Sequence, residues 1–248
     1  MDMKRKPEAS EAMVTGQRRQ TAIGRVLSSA WHNLLKLGFG LLYNQMAWSY
    51  DLVSWAVSRG QWHNWQRAGL PYLSGGIILE LAHGPGHMLL ALQGAGHEVV
   101  GLDLSPSMGR QAARRTRDAR ERISLVRGDG LSLPFRDHSF DGVLSTFPTE
   151  FMAKPATIDG IYRVLKPGSS LVVVPQARLT GGSVLARFIE WLYSITGQRP
   201  DAAFDGQDGF WRLIGDRFRA AGFVLAFHEE SMEKSQVTVV VAQKPMDD

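Results

Sequence analysis

Beyond residue 76 the chain alternates between short apolar runs and longer stretches whose apolar positions recur at helical spacing. IILELA at 77–82, HEVVGLDL at 97–104, RISLVRGD at 122–129, SFDGVLSTF at 139–147 and SLVVVPQA at 170–177 read as buried strands. HMLLALQGAG reads as a helix closed by a glycine. SPSMGRQAARRTRDARER is a second, with Ser105 placed to cap it and Pro106 in its first turn. DGIYRVLKPGS is a third, stopped by Pro167 and Gly168. Strands alternating with helices at this spacing predict right-handed crossovers and a parallel sheet covered on both faces. FVLAFHEE at 223–230 and QVTVVVAQKP at 236–245 are separated by too few residues for a crossover, so they are expected to pair antiparallel. The predicted fold is α/β: a Rossmann-like, doubly wound, mostly parallel seven-stranded sheet with an antiparallel last strand, plus an N-terminal helical cap.

Residues 1–20 read as a flexible basic tail that lacks the apolar stretch of a secretory signal. Residues 21–75 read as the helical cap and hold five of the seven tryptophans. Residues 76–248 form the main domain, with a helical insertion at 177–222 that contains SVLARFIEWLYSI and GFWRLIGDRFRAAG. The longest uncharged N-terminal stretch, 37–50, is shorter than the ~20 mostly apolar residues of a spanning helix. A cytoplasmic protein is expected, and peripheral contact of the basic tail with an anionic membrane is the alternative to a solvated tail.

With 248 residues and 44% hydrophobic composition the chain can bury a sizeable core. It has no cysteine, which excludes disulfides, thiolate nucleophiles, Cys-ligated zinc and iron–sulfur clusters. No HExxH run or compact carboxylate cluster predicts a metal. Lys plus Arg exceed Asp plus Glu by 28 to 24, too small a margin to argue for a polyanionic partner. Arg110, Arg114, Arg115, Arg117, Arg120 and Arg122 are interleaved with Asp118 and Glu121 and lack stacking aromatics. They read as a solvated helix face, and no nucleic-acid partner is expected.

The candidate chemistry lies where the first strand runs through Glu80-Leu81-Ala82-His83-Gly84-Pro85-Gly86 into a helix. In an open parallel sheet, ligands bind beyond the carboxyl ends of the strands where strand order reverses. Glycines there let backbone approach a ligand, and the helix N-terminus offers free N–H groups. Asp103, 17 positions after Gly86, can accept two ribose hydroxyls, which suits a dinucleotide as well as an S-adenosyl ligand. Leu89 stands where the dinucleotide fingerprint has its third glycine. Asp129 follows Gly128 at the end of the third strand, with Leu133-Pro134-Phe135 behind it. Both features, with the antiparallel last strand, favour the S-adenosyl ligand.

ELAHGPG (80–86), GLDLSPSM (101–108), RGDGLSLPF (127–135), SFDGV (139–143) and RVLKPGS (163–169) occur in that order. With them the chain resembles the class I S-adenosylmethionine-dependent methyltransferases, especially the small-molecule group that includes the menaquinone and ubiquinone C-methyltransferases. The resemblance covers roughly residues 43–244, and YDLVSWAVSRGQWHNWQR at 50–67 is similar to the leading helices of that group. It implies S-adenosyl-L-methionine as the cofactor. Glu80 would then lie under the methionine part, and Gly84 and Gly86 would give room to the methionine and ribose. Asp103 would hold the ribose hydroxyls, with Leu104 or Met108 against the adenine. Asp129 would accept from the adenine amino group beside Gly130, and Tyr50 would close over the methionine end. Ala82 and Thr146 complete the implied cofactor set. Ala82 departs from the glycine usual in the family, where one extra methyl should be tolerated at the risk of crowding the cofactor; Ser169 departs from the second glycine of the later turn.

The implied reaction is in-line transfer of a methyl group to a small apolar or aromatic acceptor: a quinol, a phenol or a lipid-like molecule. A sulfonium methyl is already activated, so the protein chiefly supplies placement. For an oxygen or nitrogen nucleophile, His83, His87 and Glu150 are the candidate bases. The acceptor pocket is expected from aromatic residues of the cap, the fourth-strand end and the insertion: Tyr43, Trp55, Phe147, Phe188, Trp191 and Trp211. Two alternatives stay open from the residues: a NAD(P)-dependent oxidoreductase, and a non-catalytic, cofactor-binding partner protein. The sequence does not name the acceptor or the oligomeric state.

Overall fold

The computed structural model describes residues 58, 60–119, 122–180 and 210–246; of 179 and 210–213 only the backbone is described. The tail, residues 21–57 of the cap and residues 181–209 of the insertion lie outside these. The described residues belong to one compact unit, Leu42–Asp248.

The cap's last part is helix α1 (Trp62–Arg67), followed by a one-turn 3-10 helix, Leu70–Tyr72. The sheet then begins with β1 (Ile77–Leu81), α2 (His87–Gly94), β2 (Glu98–Asp103), α3 (Pro106–Arg115) and β3 (Ile123–Arg127). It continues with β4 (Phe140–Thr146), α4 (Pro155–Val164), β5 (Leu165–Leu179), α5 (Phe210–Ala220), β6 (Val224–Met232) and β7 (Ser235–Gln243). The seven strands lie in the order β3-β2-β1-β4-β5-β7-β6. β1 to β5 are parallel, and β7 inserts antiparallel between β5 and β6. The predicted Rossmann-like sheet is therefore the observed one. The order reverses between β1 and β4, which opens a crevice at their carboxyl ends.

Both faces of the sheet are buried, so β1 is apolar on both sides, Glu80 apart, rather than alternating. Leu79, Leu81, Val143 and Leu171 pack with Ile158 and Ile161 of α4 and with Ile214 and Phe218 of α5. On the other face Ile78, Leu144, Val172 and Val174 pack with Met88, Leu89 and Leu92 of α2 and with Trp65 of α1. Asp141, at the far end of β4, accepts from Ile77 N–H at 2.9 Å and pairs with Lys166 at 2.6 Å, which fixes the strand starts rather than the strand tips.

Two helices end earlier than the residue pattern predicts. α3 stops at Arg115, where the Thr116 hydroxyl turns back onto the Ala112 carbonyl at 2.9 Å. α4 starts at Pro155 and stops at Val164, because Pro167 forces extended backbone upstream. Leu165 lies opposite Phe140 and Ser170 opposite Gly142, so the intervening Lys-Pro-Gly-Ser is absorbed as an irregularity of β5. Ser105 caps α3 as predicted, its hydroxyl accepting from Met108 N–H. Among the described residues no helix is long and apolar enough to cross a membrane.

Candidate ligand site

The turn after β1 is built from left-handed backbone. Ala82, Gly84 and Gly86 have φ of +58°, +55° and +87°. Ala82 N–H still donates to the Leu102 carbonyl at 2.7 Å, so the β1–β2 ladder continues one residue past the strand. An L-residue in this region costs about 1–2 kcal/mol, a physical reason for the glycine that the family has at the Ala82 position. A side chain at Gly84 would point into open space, whereas one at Gly86 would lie 3.0 Å from Ala112 Cβ and 3.1 Å from its Cα. Gly86 therefore makes room for the close approach of α3, and it is not among the residues that line the cavity beside the turn.

Asp103 closes the turn from β2. One carboxylate oxygen accepts from Gly84 N–H at 2.9 Å and the other from Ser105 N–H at 2.8 Å. Each oxygen keeps a further lone pair for a ligand hydroxyl. Glu80 lies beneath the turn, 1% exposed, and its Oε2 is buried with no hydrogen-bond partner. Burial, and then the neighbouring Asp103 carboxylate, pushes the Glu80 carboxyl well above the usual carboxylate range.

These parts border a cavity of about 380 Å³. It is lined by Ala82, Gly84, Asp103, Leu104 and Met108 on one side of β1 and by Thr146, Phe147, Pro148 and Thr149 at the tip of β4. Asp129 and Gly130 lie at the β3 end, with Phe151 over Gly130. Asp129 Oδ1 accepts from Leu131 N–H at 2.9 Å. Phe147 has φ of +48°, the left-handed region again, which for a bulky residue costs of order 1–3 kcal/mol. Its ring stacks on Trp62 with centroids 4.2 Å apart.

The predicted residues divide as follows. Ala82, Gly84, Asp103, Leu104, Met108, Asp129, Gly130, Thr146 and Phe147 are brought together around the cavity; Glu80 lies beneath it. His83 does not line it. Its ring is buried at the place where Gly101 lacks a side chain, and its Nδ1 lies 2.8 Å from the Gly84 carbonyl. Burial lowers its pKa against the opposing pull of Asp103. His87 meets the His63 ring at 4.1 Å and is outside the lining. Glu150 is exposed on the 3-10 turn Glu150–Ala153 and also outside it. None of the three candidate bases is among the described residues that line this cavity. Tyr43, Tyr50, Trp55, Phe188 and Trp191 lie outside the described residues, as does the Trp211 side chain. Sequence reasoning missed Leu81, Leu102, Ser105, Gly128, Pro148, Thr149 and Phe151 in the lining. Their position at or just beyond the carboxyl ends of β1 to β4 was the available signal.

S-adenosylmethionine fits what is present. Asp103 suits a ribose diol, the orphaned Glu80 Oε2 suits a cation, and Leu104 and Met108 line the same cavity as Asp129, apolar surface and an acceptor of the kind a flat heterocycle needs. The fold and this arrangement define a Rossmann-like domain for an S-adenosyl ligand. A family model described as a methyltransferase domain matches residues 78–168. The chain is 33% identical over 163 residues to a demethylmenaquinone methyltransferase of Symbiobacterium thermophilum, covering 62% of this chain and 63% of that one. It thus spans just under two thirds of that relative's length. To a demethylmenaquinone methyltransferase of Paenarthrobacter aurescens it is 31% identical over 230 residues, covering 82% of this chain and 89% of that one. The fold matches a solved SAM-dependent methyltransferase from Methanosarcina mazei with a TM-score of 0.52 and 22% identity, over 72% of this chain and 97% of that one. The chain belongs to the class I S-adenosylmethionine-dependent methyltransferase family, and within it is similar to the menaquinone and ubiquinone methyltransferases.

Proposed function

We propose that the chain transfers a methyl group from S-adenosylmethionine to a ring carbon of a naphthoquinol-like acceptor, releasing S-adenosylhomocysteine and the proton displaced from that carbon. The observation that carries the transferase reading is the cavity between the glycine turn and the β4 tip, with Asp103 and Asp129 in its lining and the buried, unpartnered Glu80 oxygen one residue before Leu81 of that lining. The acceptor class rests on the names of the relatives.

When bound, the cofactor supplies an electrophilic methyl group on sulfonium sulfur. Asp103 orients the ribose through its two oxygens while keeping the turn closed by its bond to Gly84. Glu80, which burial keeps protonated while it is alone, would give up its proton beside an ammonium group and so supply its countercharge. Gly84, without a side chain, leaves the approach open. Phe147, Pro148 and Phe151 form an apolar wall that excludes water and suits a flat ring. A quinol hydroxyl enriches the adjacent ring carbon in electrons, so placement supplies most of what the step requires. Such acceptors partition into membranes, and the peripheral contact expected of the basic tail belongs to this proposal.

The test incubates the chain with S-adenosyl-L-methionine carrying a trideuterated methyl and a short-prenyl naphthoquinol under reducing conditions. Mass spectrometry should find one trideuteromethyl group on the ring. Label on phenols or fatty acids but not on the quinol overturns the acceptor class; NAD(H) binding without S-adenosylhomocysteine binding overturns the transferase.

A further inference from the structure

Helix α1 contacts the cavity through side chains that no part of the cofactor reading uses. Trp62 stacks on Phe147 at 4.2 Å with the ring planes 27° apart, and Trp65 meets the same ring edge-on at 6.4 Å. Gln66 Nε2 donates to Thr146 Oγ1 at 3.0 Å. The helix is itself anchored: Trp65 Nε1 donates to the buried Ser235 hydroxyl at 2.8 Å, and that hydroxyl donates to Gln61 Oε1 at 2.8 Å. Its grip falls on Phe147, whose backbone is left-handed while its N–H donates to the Val174 carbonyl at 2.7 Å. A bulky residue keeps that conformation only where its surroundings over-determine it. Two aromatic contacts and the Thr146 hydrogen bond supply that over-determination.

The geometry points to Trp62 and Gln66 as positioning residues: helix α1 braces the strained tip of β4 so that the wall at 146–151 presents one fixed apolar face to the acceptor. This rests on the proposed transferase reading for what the wall faces. Asp103 and Asp129 occupy the β2 and β3 side of the cavity, so the nucleoside lies there. Beyond Thr146, which the resemblance gives to the cofactor, the β4 tip across β1 is left for the acceptor, and loosening it there should spare the nucleoside.

The experiment compares the full chain with its Trp62→Ala, Trp62→Phe and Gln66→Met variants by hydrogen exchange, by S-adenosylhomocysteine titration and by steady-state kinetics with the short-prenyl naphthoquinol. In Trp62→Ala, amides at 146–151 should exchange about tenfold faster or more while those of the turn at 84–88 keep their rates. S-adenosylhomocysteine affinity should stay within about threefold, while kcat/KM for the quinol falls about tenfold or more. Trp62→Phe should restore both, and Gln66→Met, which keeps the helix but loses the Thr146 bond, should show a smaller change of the same pattern. Unchanged exchange at 146–151, or an equal rise across the whole sheet, overturns the brace. If S-adenosylhomocysteine does not bind the unaltered chain, the cofactor reading fails instead, and the exchange pattern still decides the brace.

Discussion

The glycine turn after β1 and the tip of β4 stand on either side of one cavity, and both pass through left-handed backbone. The turn does so mainly with glycines, Gly84 at φ +55° and Gly86 at +87°, and is held by main-chain groups and the Asp103 carboxylate. The β4 tip does so with Phe147 at φ +48° and depends on a helix 80 residues away in sequence, through the Gln66–Thr146 bond and the Trp62 ring. One wall is shaped by local backbone chemistry and the other by distant side-chain packing. The first kind suits a ligand shared across a family, the second a partner that differs between members.

The comparison can be broken most forcefully at the glycines. Gly86→Ala forces a methyl against α3 at a left-handed position and should lose about 2–4 kcal/mol in denaturant unfolding. Gly84→Ala meets open space and should lose only about 1 kcal/mol, with its larger effect on S-adenosylhomocysteine affinity. Equal stability losses would mean that the two glycines do not divide the work this way. Next in size, Asp103→Ala removes charged hydrogen bonds to ribose and to Gly84; the ligand's Kd should rise about thirtyfold, roughly 2 kcal/mol, in calorimetry.

Glu80→Gln sharpens the electrostatic side. The folded-state carboxyl titrates well above its unfolded value, so the unfolded chain releases this proton first as pH rises. Native stability from this group is therefore full below the usual carboxylate range and is lost as pH climbs through the folded pKa. The variant should melt higher than the parent at pH 8 and converge with it below about pH 4.5, the unfolded carboxylate range. Its affinity for S-adenosylhomocysteine should fall, since the countercharge is gone. A melting difference that persists unchanged at low pH would contradict the assignment. The smallest effect is expected of Ala82→Gly, where relief of left-handed strain is partly offset by unfolded-state entropy; a gain under about 1 kcal/mol should show in thermal melts.

The parallel order, the antiparallel end and the aspartates at the β2 and β3 tips were legible in the chain, because strand periodicity and the reversal of strand order place them without side-chain detail. Gly86 was visible, but its contact with α3 was not: glycine spacing does not tell backbone approach to a ligand from approach to Ala112. His83 looked like a group at a strand tip, yet it turns inward because Gly101, inside β2, leaves room for its ring. That glycine was the overlooked signal. The Trp62–Phe147 stack joins residues with no shared periodicity, so no local pattern could announce it.

The most direct measurement is a calorimetric titration of the full chain with S-adenosylhomocysteine, and in parallel with NADH. A single saturable site for S-adenosylhomocysteine, weakened in Asp103→Ala, with no heat from NADH, is the predicted result. Saturation by NADH alone, or an S-adenosylhomocysteine site indifferent to Asp103, would contradict it.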